Sequence, residues 1–474
     1  MLKGFNRITA AVLTSLCTLP AHSLMNPIES VTFSGFVSGG LAITNAVNVD
    51  FIDPFFFSKT SEVPTFFGVG QRLTAEEDTL GGFQINMQLI DPKASIITQL
   101  VARGTNDYLV TADWAYLNYR FNDNFAVRVG RVVEPIMMFS DYINVRYAFP
   151  WFRAPNEIYN TVTTQDFNGI IFDVSKLFFN NWLLEITTAL GSESLISAQA
   201  NGGINYEAQL NGGTEIRISN EFLTLRGFYG LPTISTTSLG SSLAIPQSLI
   251  GSPCITYAAY LDIRNPSTPL GGECDIYLTS DPAGLLLSAG VTGDPELAAD
   301  FDISNSIIEY ASLGYMFNWN NILSIGEYLT YHARNAILIP DVQNWYVSLG
   351  YRVHEVLVMF TYAQARTTNR SIREIDSPQL DWVNPFGQLA TGGFLVNGLP
   401  IGPTMNDSVN KFFELFNPAQ NSYSFDVRWD PVDSIAIKGQ IQFIDPKDKI
   451  GISYFNLPPG KIVAQYGIGV DAVF

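Results

Sequence analysis

The sequence predicts an all-β fold: a transmembrane antiparallel β-barrel of about sixteen strands, with long extracellular loops on one rim and short periplasmic turns on the other. Three observations predict it. Apolar residues recur at every second position in run after run, which is the period of a strand with one oily and one wet face. Short and long connections take turns along almost the whole chain, whereas a soluble sandwich mixes connections of modest length. The chain has 47% hydrophobic, 13% aromatic and 15% charged residues, yet no window after the N-terminal leader offers the ~20 apolar residues of a membrane helix. If a chain of this composition enters a membrane, it does so as strands.

The leader comes first. Residues 1–23 carry Lys3 and Arg7, an apolar run from Ile8 to Leu19, then Ala21 and Ser23, which reads as a cleaved signal peptide. The run is too short to span a bilayer, and Leu16 before Cys17 is not the small residue of a lipoprotein site. The formal net charge of −18 grows more negative without the leader and argues against nucleic acid as a partner.

The single barrel domain occupies residues 31–474, with strands expected at 31–44, 81–90, 95–103, 110–121, 124–132, 165–175, 181–190, 210–219, 221–231, 303–317, 321–334, 342–352, 355–366, 421–430, 434–444 and 462–474. In GFQINMQLI, Phe83, Ile85, Met87 and Leu89 oppose Gln84, Asn86 and Gln88. In SYSFDVRWD, Tyr423, Phe425, Val427 and Trp429 oppose Ser424, Asp426, Arg428 and Asp430, so charge sits in mid-strand on one face. SIAIKGQIQF repeats the pattern with Lys438 on the wet side. The short turns fall at residues 91–94, 122–124, 175–181, 219–221, 318–321, 353–355 and 431–434. Residues 66–78 look strand-like, but counting them makes the total odd and swaps the rims, so they belong to the first long loop.

An even count puts both termini on the short-turn rim and lets the first strand pair with the last, which removes the edges that hydrocarbon does not tolerate. Glu309 and Glu327 disturb this scheme, because their strands have an unclean apolar phase and a lipid-facing carboxylate near the midplane is costly. A bulge or register slip is expected there. Tyr119, Phe121, Phe125, Phe317, Trp319, Tyr351, Trp429 and Phe474 all fall near the short turns or the C-terminus, where they form a periplasmic-side girdle.

The last segment, KIVAQYGIGVDAVF, alternates without a break from Ile462 to Phe474. With its leader, its strands and this aromatic-ended terminus, the chain resembles a Gram-negative outer-membrane general porin over nearly all of its mature length. The resemblance implies several things. Tyr466 and Phe474 are an assembly signal read by the barrel-assembly machinery. The protein is a homotrimer in outer-membrane lipid, with Gly35 and Gly39 of the first strand suited to wall-to-wall packing. The loop after the fifth strand, 133–164, folds into the lumen as a constriction. Its pattern of Pro135, SDY, PW, Arg153, Pro155, Glu157 and Tyr159 also resembles a subgroup of porin-like proteins. Glu134, Asp141 and Glu157 then face Arg146 and Arg153 across the eyelet, with Arg128 on the wall, and a transverse field sorts polar solutes. The alternative is a loop packed outside the pore with paired surface charges. Parity places Arg128, Arg217, Arg226, Arg352, Arg428 and Lys438 inward together with Asp173, Glu185, Glu215 and Asp426, so the lumen is mixed in sign.

Cys254 and Cys274 lie in the long loop 231–302. In an oxidising compartment they are expected to form a disulfide, worth on the order of 3 kcal/mol if unstrained; two free thiols are the alternative. The mature chain has two histidines, His332 near the outer rim and His354 in a short turn. No Ser/His/Asp grouping, metal-ligand spacing or phosphate loop accompanies them, so neither an enzyme nor a cofactor is expected. A second class is a substrate-specific channel or surface-binding barrel that uses the loops 231–302 and 367–420 as a site or lid. The reading adopted is passive diffusion of small hydrophilic solutes or ions.

Overall fold

The protein is described from a computed structural model. The structure describes residues 28–45, 69, 71–159, 166–179, 181–197, 205–237, 306–334, 341–368, 419–447 and 461–474, with two-residue strand pieces at Phe57–Ser58, Leu395–Val396 and Leu399–Pro400. The leader, Cys254 and Cys274, and nearly all of the loops expected at 231–302 and 367–420 lie outside the described residues.

Sixteen strands form one closed antiparallel sheet. They are β1 (Ile28–Thr44), β2 (Leu80–Leu89), β3 (Ala94–Arg103), β4 (Val110–Asn122), β5 (Phe125–Val133), β6 (Asp166–Phe178), β7 (Trp182–Ser197), β8 (Asn205–Ser219), β9 (Leu223–Thr237), β10 (Ser306–Trp319), β11 (Ile322–Ala333), β12 (Val342–Val353), β13 (Val356–Thr367), β14 (Gln420–Val432), β15 (Ile435–Pro446) and β16 (Val463–Val473). Each pairs with its sequence neighbours, and β1 closes the sheet by pairing with both β2 and β16. The lower part of β1 meets β2 from Ile28 to Ser38, and the upper part meets β16 from Phe36 to Thr44. That offset is the stagger a closed, tilted sheet requires. At the foot of the seam, Gly35 and Phe474 exchange backbone bonds of 2.8 and 3.0 Å.

The faces are inverted relative to a water-soluble protein. Outward positions are apolar and exposed, as at Leu313 (65%) and Ile468 (59%), while inward Lys438 and Arg226 are 1% and 3% exposed. Such a surface is stable only against hydrocarbon, and a closed sheet satisfies its backbone there. This architecture belongs to a Gram-negative outer membrane. The short turns lie where parity and turn residues put them, except that β6 runs on to Phe178 and so shortens the turn expected at 175–181. Asn320 and His354 supply the positive φ of the tight turns between β10 and β11 and between β12 and β13. The turn-edge aromatics point outward: Phe121 stacks on Phe125 at 5.2 Å and meets Tyr119 edge-on at 4.8 Å, and Trp319, Tyr351 and Trp429 are exposed.

Three expectations need correction. β7, β8 and β9 extend beyond their predicted outer ends, to Ser197, Asn205 and Thr237. There is no slip at Glu309 or Glu327, since β10, β11 and β12 pair in continuous register. Glu327 points inward in phase with Leu323, Ile325, Leu329 and Tyr331, all buried. The apolar phase looked unclean because this part of the wall carries oil on its inner face, where it packs on a loop. Glu309 faces outward but sits near the outer end of β10, where Tyr229 donates to it at 2.7 Å and Arg334 at 3.3 Å. Finally, a Cβ on Gly35 would lie 2.4 Å from the Phe474 ring, so that glycine makes room for the chain's own terminus, while around Gly39 the space is open.

Candidate functional site

Residues 134–159 leave the outer end of β5 and contain no strand. Pro135, Pro150 and Pro155 interrupt any regular element, and what remains is two single turns of 3-10 helix (Ser140–Tyr142 and Arg146–Ala148) and one turn of α-helix, α1 (Asn156–Tyr159). Irregular backbone at membrane depth must be satisfied by protein or water. Inward-facing wall side chains provide that satisfaction. Arg226 of β9 donates to the carbonyls of Ile136 and Pro135 at 2.7 and 2.5 Å, and Ser312 of β10 donates to Ile136 at 2.6 Å. Arg428 of β14 donates to the carbonyls of Tyr147 and Phe149 at 2.7 and 2.9 Å. Lys438 and Gln440 of β15 donate to those of Arg146 and Arg153 at 2.6 and 3.1 Å.

The loop's side chains bury against the same walls. Met137, Met138, Phe139, Phe149, Trp151, Ile158 and Tyr159 form an apolar cluster with Leu323, Ile325, Leu329, Tyr346, Leu357 and Met359 of β11, β12 and β13. Trp151 is fully buried, and its indole N–H is shared by Thr361 at 2.9 Å and Ser348 at 3.1 Å. Glu327 accepts from the backbone N–H of Met138, from the Tyr159 hydroxyl at 2.5 Å and from the Tyr346 hydroxyl at 2.8 Å. On the far side of the lumen, Asn144 donates to Gln99 of β3 and Asp113 of β4 at 2.8 and 2.9 Å, and accepts from Arg103 at 2.6 Å. At the lower end the Tyr147 hydroxyl donates to the carbonyl of Asp433, in the turn between β14 and β15, at 2.5 Å. The loop therefore runs from the outer rim to the periplasmic turns and bonds to walls on both sides.

The six charged residues singled out from the sequence do not form one facing set. Arg128 pairs with Asp173 of β6 through two bonds of 2.7 Å. Asp141 lies 3.6 Å from Arg217 of β8. Arg146 and Arg153 converge instead on Asp78, at the end of the first long loop. Glu157 is fully buried, with Gln420 donating to its carboxylate at 2.6 Å and Asn344 to its backbone carbonyl at 2.7 Å. Burial pushes the Glu157 carboxyl above the usual range, partly offset by hydrogen bonds from Gln420 and Ser422. Glu134 is buried at the outer end of β5. Hence Glu157 and Glu134 do not face Arg146 and Arg153 across open water; Asp141 does its pairing with a wall arginine.

Partly exposed charges remain inside along the wall from β5 to β8, and others lie elsewhere on the wall, Arg103 at 31% and Arg352 with Asp430 at 28 and 20%. Arg128, Asp173 and Arg217 keep 21, 28 and 20% of their side-chain surfaces exposed, and Asp141 keeps 39%. Glu185 of β7, directly opposite Arg217 in register, belongs to this group. The sequence reading gave no weight to Asp78, Asn144 or Asp113. Parity set by the outward Leu117 and Phe121 would have turned Asp113 outward; a bulge in β4 at Asp113 brings it inside, and nothing in the first loop marked Asp78. His332 pairs with Asp341 at 2.6 Å near the outer rim.

No family model matches the sequence, and no curated protein does. Among solved structures, OmpT, an outer membrane protein of Vibrio cholerae in its trimer form, aligns over 94% of this chain and 99% of its own at 9% identity, with a TM-score of 0.49. The outer membrane channel DcaP of Acinetobacter baumannii aligns over 94% and 97% at 10% identity, with a TM-score of 0.45. An anion-selective porin from Comamonas acidovorans aligns over 94% and 99% at 12% identity, also at 0.45. The closed sixteen-stranded sheet, with charge inside and oil outside, has the architecture of an outer-membrane β-barrel.

Proposed function

We propose that this barrel is a porin through which small hydrophilic solutes or ions diffuse passively, and that residues 134–159 form its constriction. The observation carrying the proposal is the contrast between the two halves of the lumen. Against β9 to β15 the loop is bonded and packed onto the wall, whereas along β5 to β8 Arg128, Asp173, Glu185 and Arg217 keep water-facing surface opposite Asp141. A wet, charged strip beside a filled half-lumen is a narrowed aqueous path. The strip carries two cations and three carboxylates, so it favours cations modestly. No catalytic step is assigned to the barrel.

The same reading makes the protein a homotrimer whose terminal residues Tyr466 and Phe474 guide its assembly. Gly39, with open space in front of it, suits contact with a neighbouring wall. Purified protein in a planar bilayer tests the proposal. Stepwise conductance that is linear in salt concentration is the expected result, and a folded barrel without steps would overturn it. Saturable block by one solute would point instead to a substrate-specific channel.

A further inference from the structure

The end of the first long loop, residues 71–79, packs inside the barrel against β1 and residues 146–153. Residues 71–79 return along β1, where Ala42 and Thr74 exchange backbone bonds of 2.9 Å, and reach a single 3-10 turn at Glu76–Asp78. The Asp78 side chain has no exposed surface. Arg153 reaches it with both guanidinium arms, one bond measuring 2.7 Å, and Arg146 lies 3.4 Å away while donating to the carbonyl of Glu77 at 2.8 Å. One carboxylate thus joins two arginines that bracket the deepest excursion of the constriction loop.

The site is also the barrel's closing seam. Phe152, between the two arginines in the chain, lies in a trough cleared by glycines of both closing strands: a Cβ would meet its ring at 3.0 Å from Gly40 of β1, 2.2 Å from Gly467 and 2.7 Å from Gly469 of β16. Its backbone N–H donates to Asp426 at 3.1 Å. Burial alone lowers the affinity of Arg146 for its proton, and Asp78 is the largest opposing influence. Without a carboxylate between them, two buried guanidinium groups would repel one another.

The geometry points to Asp78 as the positioning residue of the constriction, a latch by which the first loop seats residues 146–153 on the β1–β16 seam. This rests on the porin reading for its consequence in transport, but not for the latch itself. In Asp78→Asn the segment loosens at the seam while the sheet persists, since the strand ladder does not involve Asp78. Arg153→Gln removes the principal pair from the other side.

Hydrogen exchange on the purified, folded, full-length barrel tests the latch directly. In Asp78→Asn the backbone amides of Phe149 and Phe152 are expected to exchange about tenfold faster or more, with strand amides and heat-modifiable gel mobility unchanged. Arg153→Gln should act alike, and the double variant should be no faster than the faster single one, because both remove the same interaction. Unchanged exchange in both single variants would overturn the latch. If Asp78→Asn does not fold, the Arg153→Gln result decides alone. In a bilayer, Asp78→Asn should raise open-channel noise and conductance relative to wild type. Faster exchange with identical conductance and noise would mean that Asp78 is structural only. A wild-type barrel without conductance would sink the porin reading, and the exchange experiment would still decide the latch.

Discussion

Asp141 and Glu157 belong to the same loop and carry the same formal charge, yet burial gives them opposite roles. Asp141 keeps water contact beside Arg217, so in the proposed channel its charge would act on a passing ion. Glu157 is enclosed by Gln420 and Asn344, and its raised carboxyl pKa records the cost of charging it there. Two predictions follow from that difference. Asp141→Asn should shift the reversal potential in a salt gradient toward anions, and Glu157→Gln should leave it unchanged; equal shifts would place both groups on the ion path. For stability the sign is set by the direction of the shift. A carboxyl whose folded pKa is raised contributes most below its unfolded pKa and loses that contribution as pH rises through the folded value. Loop docking should therefore weaken as pH rises from the ordinary carboxylate range through that raised value. In Glu157→Gln, which keeps the oxygen that accepts from Gln420, this dependence should vanish, as read by loop-amide exchange across that range.

Among elements, β1 and β16 show how far alternation can be read. Every outward residue from Tyr466 to Phe474 was identifiable by counting in twos, because period two fixes which face a side chain takes. It does not say what fills the face. The glycines of this seam carry no pattern, yet Gly40, Gly467 and Gly469 make the space for Phe152. A methyl group at Gly469 would also approach the carbonyl oxygen of Gly39 at 2.9 Å, so backbone as well as ring must move. Gly469→Ala should cost about 1–3 kcal/mol as overpacking, seen as earlier loss of the heat-modifiable band on heating. Gly39→Ala, one strand position away from that trough and facing open space, should leave the monomer's unfolding unchanged. The inward oil of β11 to β13 illustrates the same limit. Leu323, Ile325 and Leu329 obeyed the period but reversed the usual assignment of the apolar face, because their partner is a loop that has no period of its own. Glu327 was misplaced for that reason. The convergence of Asp78 with Arg146 and Arg153 was illegible, since it joins two aperiodic segments distant in the chain.

At the scale of the molecule, two structures with different sources of strength are nested. The outer one is the sheet, held by a closed ladder of backbone bonds and by its fit to hydrocarbon. The inner one is the loop, held by side chains of nearly every inner wall: Arg226 and Ser312, the Glu327 cluster, Asn144 with Asp113, Arg428, Lys438, and the latch at Asp78. Shortening the loop between Asp141 and Arg153 removes the inner structure selectively. It exposes Asp78, Asp113, Asp426, Arg428 and Lys438 to the lumen, and each of these can be hydrated once water enters. The cost of burying them disappears together with the bonds that offset it, so the sheet should fold and remain heat-modifiable. Single-channel conductance should rise, and the added carboxylates and cations should leave the lumen mixed in sign, so that selectivity changes less than conductance does. An intact barrel with unchanged conductance would show that ions pass by a route the loop does not border.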